Sequence, residues 1–247
     1  MKKVLCIAIA LVFALLLAGP VMAGRSDGEG SQKLKDSKES LEAMMGSDET
    51  AIPEYLIDKC QAIAIFPGIK KIGFGIGGHQ GWGLLMARDE NRKWSPPAFF
   101  RLRGLSTGFQ IGLQEMDTVL LIMDKKGLTS FMGNEFTVGA DLSIAAGPTK
   151  KAVDADTTTA LDSNLLSYTL VKRGLYAGVA VKGSRIVFDS EMTDDFYNKP
   201  LKCEDILKNG KVPMPDEAKP LVEALEKYAK AKKDEAKKEE KTQDQKK

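Results

Sequence analysis

The residue types with chemical potential in this chain cluster between Gly73 and Gly112. Gly104-Leu105-Ser106-Thr107-Gly108 has the Gly-x-Ser-x-Gly spacing that holds a serine nucleophile on a strained strand-to-helix turn in α/β-hydrolases. Such a serine needs an orienting acid and then a histidine base, both later in the chain. The only histidine, His79, precedes Ser106, and Phe109-Gln110-Ile111-Gly112 alternates like a strand where a helix is required. Gly73-Phe74-Gly75-Ile76-Gly77-Gly78 matches the Gly-x-Gly-x-x-Gly dinucleotide fingerprint, which works only when the third glycine opens a helix facing the pyrophosphate. The next residues, His79-Gln80-Gly81-Trp82-Gly83, are glycine-interrupted β sequence, so the glycines read as places of close backbone approach in a bent sheet. One histidine and the distant Cys60 and Cys203 give no metal-ligand spacing, and no particular carboxylate pair stands out for hydrolysis. The expectation is a non-enzymatic protein with no cofactor.

The elements that must carry these residues begin after a targeting segment. Lys2-Lys3, an apolar run over 4–18 and Val21-Met22-Ala23 form a secretory signal pattern, with cleavage expected after Ala23 and a periplasmic or extracellular destination. The run is shorter than the ~20 residues of a spanning helix, and no cysteine stands just after the cut to take a lipid anchor. Lys2 and Lys3 account for the whole formal charge of +2. Residues 226–247 hold nine Lys against six Asp or Glu, so the folded part is slightly acidic. Nucleic-acid binding, which needs a dense cationic face, is disfavoured, and an anionic ligand must meet a local patch. The two cysteines left after processing permit one Cys60–Cys203 bridge in an oxidising compartment, and two buried thiols fit the count as well.

Residues 24–30 read as a flexible leader and 31–45 as a helix, with Leu34, Leu41, Met44 and Met45 on one stripe and Lys33, Lys35, Asp36, Lys38 and Glu39 elsewhere. Pro53 opens a second, short helix to about Lys59. Ala62-Ile63-Ala64-Ile65-Phe66, closed by Pro67-Gly68, reads as a buried strand. Further strands are predicted at 71–78, 81–87, 98–104, 107–113, 118–123, 128–131, 136–145, 165–171, 175–181 and 185–188. Turns are read at 124–127, 173–174 and 182–184, and 149–162 as a long loop. Connections this short favour antiparallel pairing. A short turn at 205–209, a break at 210–215 and a helix from 216 to about 241, fraying into a Lys/Glu-rich tail, complete the chain. The fold class is therefore α+β: a β-rich antiparallel sheet domain, sandwich- or barrel-like, flanked by N-terminal and C-terminal helices. The organisation read is signal peptide 1–23, leader 24–30, domain 31–205, and helix with tail 206–247.

An ordered set of motifs spans that domain: Ile52-Pro53-Glu54-Tyr55-Leu56, Ala62 to Pro67, Lys71-Ile72-Gly73-Phe74, Gly81-Trp82-Gly83, Trp94-Ser95-Pro96-Pro97-Ala98-Phe99, Gly108-Phe109-Gln110-Ile111-Gly112, Gly139-Ala140-Asp141-Leu142-Ser143 and Gly174-Leu175-Tyr176-Ala177-Gly178. The set resembles the SYLF domain family. The resemblance implies lipid binding: phosphoinositides in eukaryotic relatives, through an amphipathic N-terminal helix, with actin binding in the yeast branch. By position the helix from Ser31 to Met45 corresponds, so Leu34, Leu41 and Met44 would insert while Lys33, Lys35 and Lys38 meet phosphates. Docking on the domain's own core is the alternative destination of that stripe. Lys70, Lys71, Arg101 and Arg103 are the other candidates for an anionic-lipid patch. The expected partner is an anionic phospholipid or membrane surface, with a protein partner reached through the C-terminal tail as a further possibility. The rival expectation is an envelope structural or protein-interaction module without a lipid ligand.

Overall fold

A computed structural model of the chain describes residues 28–46, 51–133, 135–150, 162–171, 174–175 and 180–229; 73–76, 106–112 and 174–175 are described as backbone only. Two long strands organise it. β1 runs over Ala62–Ala87 and β2 over Ala98–Ile122, paired antiparallel from Ala62↔Ile122 to Leu85↔Ala98. The other edge of β2 pairs at one end with β7 (Arg185–Phe188) and at the other with β5 (Leu165–Val171). β3 (Glu135–Thr137) extends the sheet beyond β7, while β4 (Ile144–Ala146, parallel) and β6 (Gly174–Leu175) add to β5. Among the described residues seven strands form one sheet that is antiparallel except for the β4–β5 pair.

Apolar residues cover both faces of this sheet at its ends, which is why Ala62 to Phe66 and Thr118 to Ile122 are continuous apolar runs instead of alternating ones. Ala64, Phe66, Ile69, Leu85, Phe100, Leu102 and Leu120 belong to one buried cluster, and Ile63, Ile65, Leu84, Met86, Phe99, Val119 and Leu121 to the other. The first face is concave. On a straight strand Ile69 and Gly81 would stand about 40 Å apart. Here a Cβ on Gly81 would come within 2.8 Å of the Ile69 side chain, and one on Gly83 within 2.6 Å of the Phe66 ring. Glycine at these two positions lets the two halves of β1 touch across the inside of a half-barrel.

Helices close both faces. On the concave side, α3 (Lys125–Met132) contributes Phe131 and α5 (Cys203–Leu207) contributes Ile206 and Leu207. On the convex side lie α1 (Glu29–Met45), α2 (Glu54–Lys59), α4 (Ser190–Tyr197) and, after a 3-10 turn at Asp216–Ala218, a helix over 219–229 that buries Leu221 and Leu225.

The predicted α+β class, with a curled antiparallel-dominated sheet and helices in both terminal regions, is what the chain adopts. Several boundaries differ. The predicted strands 62–66, 71–78 and 81–87 are one strand, and 98–104, 107–113 and 118–123 another. Pro67-Gly68 forms a bulge between the Phe66 and Ile69 pairs instead of a chain-reversing turn, with the Gly68 amide donating to buried Asp117 at 2.7 Å. The segment 124–131, predicted as turn and strand, is helix α3, because Asp124 caps it by accepting from the Gly127 amide at 2.7 Å. The predicted strand 136–145 is interrupted by a turn between β3 and β4. Helix α4 has no counterpart among the predicted elements, although Asp189 caps it through the Met192 amide. Helix α1 starts at Glu29, two residues before the predicted Ser31. The signal segment, most of the 149–162 loop, 176–179 of the predicted 175–181 strand and the tail beyond 229 lie outside the described residues.

Candidate functional site

The serine motif sits inside β2, with Ser106 paired to Gly77 on β1 and no helix after it. His79 turns instead to another serine: its Nε2 lies 2.7 Å from Ser184 Oγ, both buried in the concave face. A Cβ on the cross-strand neighbour Gly104 would come within 2.9 Å of Ser184 Oγ and overlap the His79 ring, so this glycine makes room for the pair. His79 Nδ1 is buried with no hydrogen-bond partner among the described residues, so no acid orients the ring. Burial, then the positive charge of Lys71, lowers the His79 pKa from its ordinary value. The dinucleotide-like glycines are likewise mid-strand in β1. Among the described residues no three His, Cys, Asp or Glu side chains are grouped closely enough to hold a metal ion.

Cys60 and Cys203 are free and buried, the second of the two alternatives their count allowed. They belong to opposite clusters, Cys60 on the convex side and Cys203 on the concave side, with the sheet between them. Burial pushes both thiols up to about 12.

Helix α1 holds the predicted lipid-binding residues in a different setting from the one the resemblance implies. Leu34, Leu41 and Met44 are buried in the convex-side cluster against β1, α4 and the 3-10 turn. Lys33 pairs with Asp36 at 3.5 Å and Lys38 with Glu42 at 2.7 Å, while Lys35 is exposed. The Glu42 hydrogen bond is the main cause that raises the Lys38 pKa. The apolar stripe of α1 is therefore core, and its cations are largely neutralised along the helix.

The four other predicted cations lie on the β1–β2 ribbon, and register divides them. Alternation places Lys70, Arg101 and Arg103 on the convex face and Lys71 on the concave face near His79. Among the described residues Lys70, Arg101 and Arg103 form no ion pair. Desolvation, then the like charge of Arg101, lowers the pKa of Arg103. Arg185, opposite Arg103 on β7, shares the face and pairs with Glu135 at 3.3 Å.

Between these cations lie residues that the sequence pattern did not single out. Ile72 and Leu113 are a directly opposed pair, and Leu105 lies opposite Gly78, all on the convex face. They are 58%, 71% and 82% exposed, the large exposed hydrophobic side chains among the described residues. In sequence they stand as single apolar residues set among glycines, a pattern that reads equally as strand core until the curvature of the ribbon is known. The ribbon bend thus presents exposed apolar side chains with Lys70 and its cross-strand neighbour Glu115 to one side and Arg101 and Arg103 to the other; the arginine side suits a surface that is anionic outside and apolar beneath.

Comparison with known proteins agrees with this architecture. The family model Ysc84, described as "Las17-binding protein actin regulator", matches residues 103–228. The chain belongs to the Ysc84 family. The resemblance to the SYLF domain is thereby confirmed. Human SH3 domain-containing YSC84-like protein 1 is 31% identical over 206 residues, covering 83% of this chain and 59% of the relative. The Xenopus laevis protein of the same name is 30% identical over 207 residues, covering 83% and 60%. Saccharomyces cerevisiae protein YSC84 is 30% identical over 210 residues, covering 83% of this chain and 44% of its own length. This Ysc84-family chain spans well under two thirds of the length of these relatives.

Proposed function

We propose that this chain is a secreted, non-enzymatic module that associates peripherally with anionic phospholipid. The observation that carries the reading is the convex face of the ribbon bend, where Lys70, Arg101 and Arg103 have no ion-pair partner among the described residues and flank an exposed apolar centre. Each such cation near an anionic bilayer contributes about 1 kcal/mol, and the contribution decays within a Debye length. The apolar run after Lys2-Lys3 supports export, with the mature chain starting at Gly24. Vesicle flotation tests the lipid reading. Binding to phosphatidylserine or phosphatidylglycerol vesicles, weaker binding to phosphatidylcholine vesicles, and loss of the difference in Arg101→Glu/Arg103→Glu are expected. Equal partition into both vesicle types contradicts it.

A second reading is a protein-interaction module, favoured by the relatives' names, which include "LAS seventeen-binding protein 3". Under that reading a protein partner occupies the same exposed face or the C-terminal tail. Crosslinking of the protein with and without residues 226–247, in the absence of lipid, separates the two contact regions.

A further inference from the structure

We infer that the convex face of the β1–β2 bend is the part of the molecule that enters the bilayer interface, with Ile72, Leu105 and Leu113 as the inserting side chains and α1 staying docked. The inference rests on the lipid reading above and assigns its site. Three observations lead to it. The first is that the exposed apolar side chains are not scattered: a single face of a single ribbon carries Ile72, Leu105 and Leu113 at 58%, 82% and 71% exposure. Large apolar side chains exposed together on one face suit an interaction surface.

The second is shape. Across the bend, the opposite face is folded in on itself, with Ile69 against Gly81 and Phe66 against Gly83. The apolar trio therefore stands on the outside of the curve. β1 and β2 are paired on both sides of the bend, up to Gly73↔Gly112 and again from Gly75↔Gly108, with a register shift between Gly73 and Gly75. A paired ribbon can approach the hydrated headgroup zone without stripping bare amides and carbonyls of all partners.

The third is charge and the state of the competing element. Arg101 and Arg103 lie on the Leu105 side of the bend, with Asp189 acting on Arg103, and Lys70 lies on the Ile72 side with Glu115 as its cross-strand neighbour, so the cationic character is strongest beside Leu105. The arginine stems can lie on the apolar boundary while the charged ends meet phosphates. Helix α1, by contrast, has Leu34, Leu41 and Met44 at 1% exposure or less, and Gly30 is packed so closely on Phe196 that a Cβ would fall within 2.7 Å of that ring. To insert, α1 would have to leave the core. The bend is already outside.

Single cysteines at the bend test this directly, because Cys60 and Cys203 are buried and slow to label. Leu105→Cys and Leu113→Cys, and Lys35→Cys on exposed α1, are each coupled to an environment-sensitive fluorophore and mixed with phosphatidylglycerol vesicles. The expected result is a blue shift at 105 and 113, quenched by shallow spin-labelled lipid, and no shift at 35. Flotation with no shift at 105 or 113 overturns the assignment and leaves the lipid reading standing, as does a shift at 35 alone. No flotation at all overturns both. A shift at 105 that grows with protein concentration without vesicles assigns the face to a second copy of the chain and also overturns the proposal.

Discussion

The two ends of the β1–β2 ribbon and its middle are made from the same pair of strands and behave as different materials. At the ends, both faces are covered: Ile65 and Val119 lie under the convex-side helices, while Phe66, Phe100 and Leu120 fill the half-barrel. In the middle, glycines are frequent in the sequence, the ribbon bends, and Ile72, Leu105 and Leu113 on the convex face are open to solvent. Curvature explains both. A strand long enough to wrap the core needs a corner with no side chains on the inside, and the outside of that corner is left beyond the reach of the helices. In this chain the stable parts of the ribbon build the core, and the bent part is free to do something else.

The largest expected effect lies at an end. Phe100 meets Phe131 at 5.4 Å and Phe188 at 5.7 Å between ring centroids, both edge-on. Phe100→Ala should destabilise the protein by about 3–5 kcal/mol, read as a lowered midpoint in urea. A loss below about 1 kcal/mol would mean that the ribbon end is not the packed core described here.

A smaller loss is expected on the inside of the corner. Gly83→Ala places a Cβ against the Ile65 carbonyl and the Phe66 ring and should cost about 1–3 kcal/mol as the ribbon opens. A neutral Gly83→Ala would break the comparison, since it would show that the bend is not tight.

His79, on the concave side, gives a pH test. Its folded pKa is lowered from its ordinary value by burial and by Lys71, so between the folded and unfolded values the unfolded state binds more protons. Stability from the neutral ring is present above the unfolded pKa, about 6.5, and declines as the pH falls below it toward the folded value. His79→Gln should flatten that part of the stability profile, as measured by urea unfolding across pH 4–8. An unchanged slope would show that the ring titrates freely and is not held in the pair with Ser184.

Much of this division could be read from the residues themselves. The continuous apolar run at 62–66 marked a buried strand, and glycine spacing through 73–83 marked a bent sheet. The merging of short predicted strands was not legible, because Pro67-Gly68 has the composition of a turn and becomes a bulge only through its long-range bond to Asp117. Helix α3 was hidden for a similar reason: Asp124 to Gly127 serves equally as turn or N-cap, and packing of Phe131 on Phe100 and Phe136 decides for the helix. The cations of the site were visible in sequence. The apolar centre was not, since Leu105 reads as core in a strand until curvature puts it outside. The stripe of α1 left two destinations open, because amphipathicity alone does not distinguish a membrane from the protein's own sheet, and in the structure it lies on the sheet.

The most direct measurement is vesicle binding by Leu105→Ala/Leu113→Ala alongside its urea unfolding. Both side chains are open to solvent, so stability should stay within about 0.5 kcal/mol of the parent. Affinity for anionic vesicles should fall by at least about tenfold, given about 0.8 kcal/mol for each buried methylene lost from the interface. Binding that is unchanged in a stably folded variant would contradict the account and return the membrane-facing role to another surface of the domain.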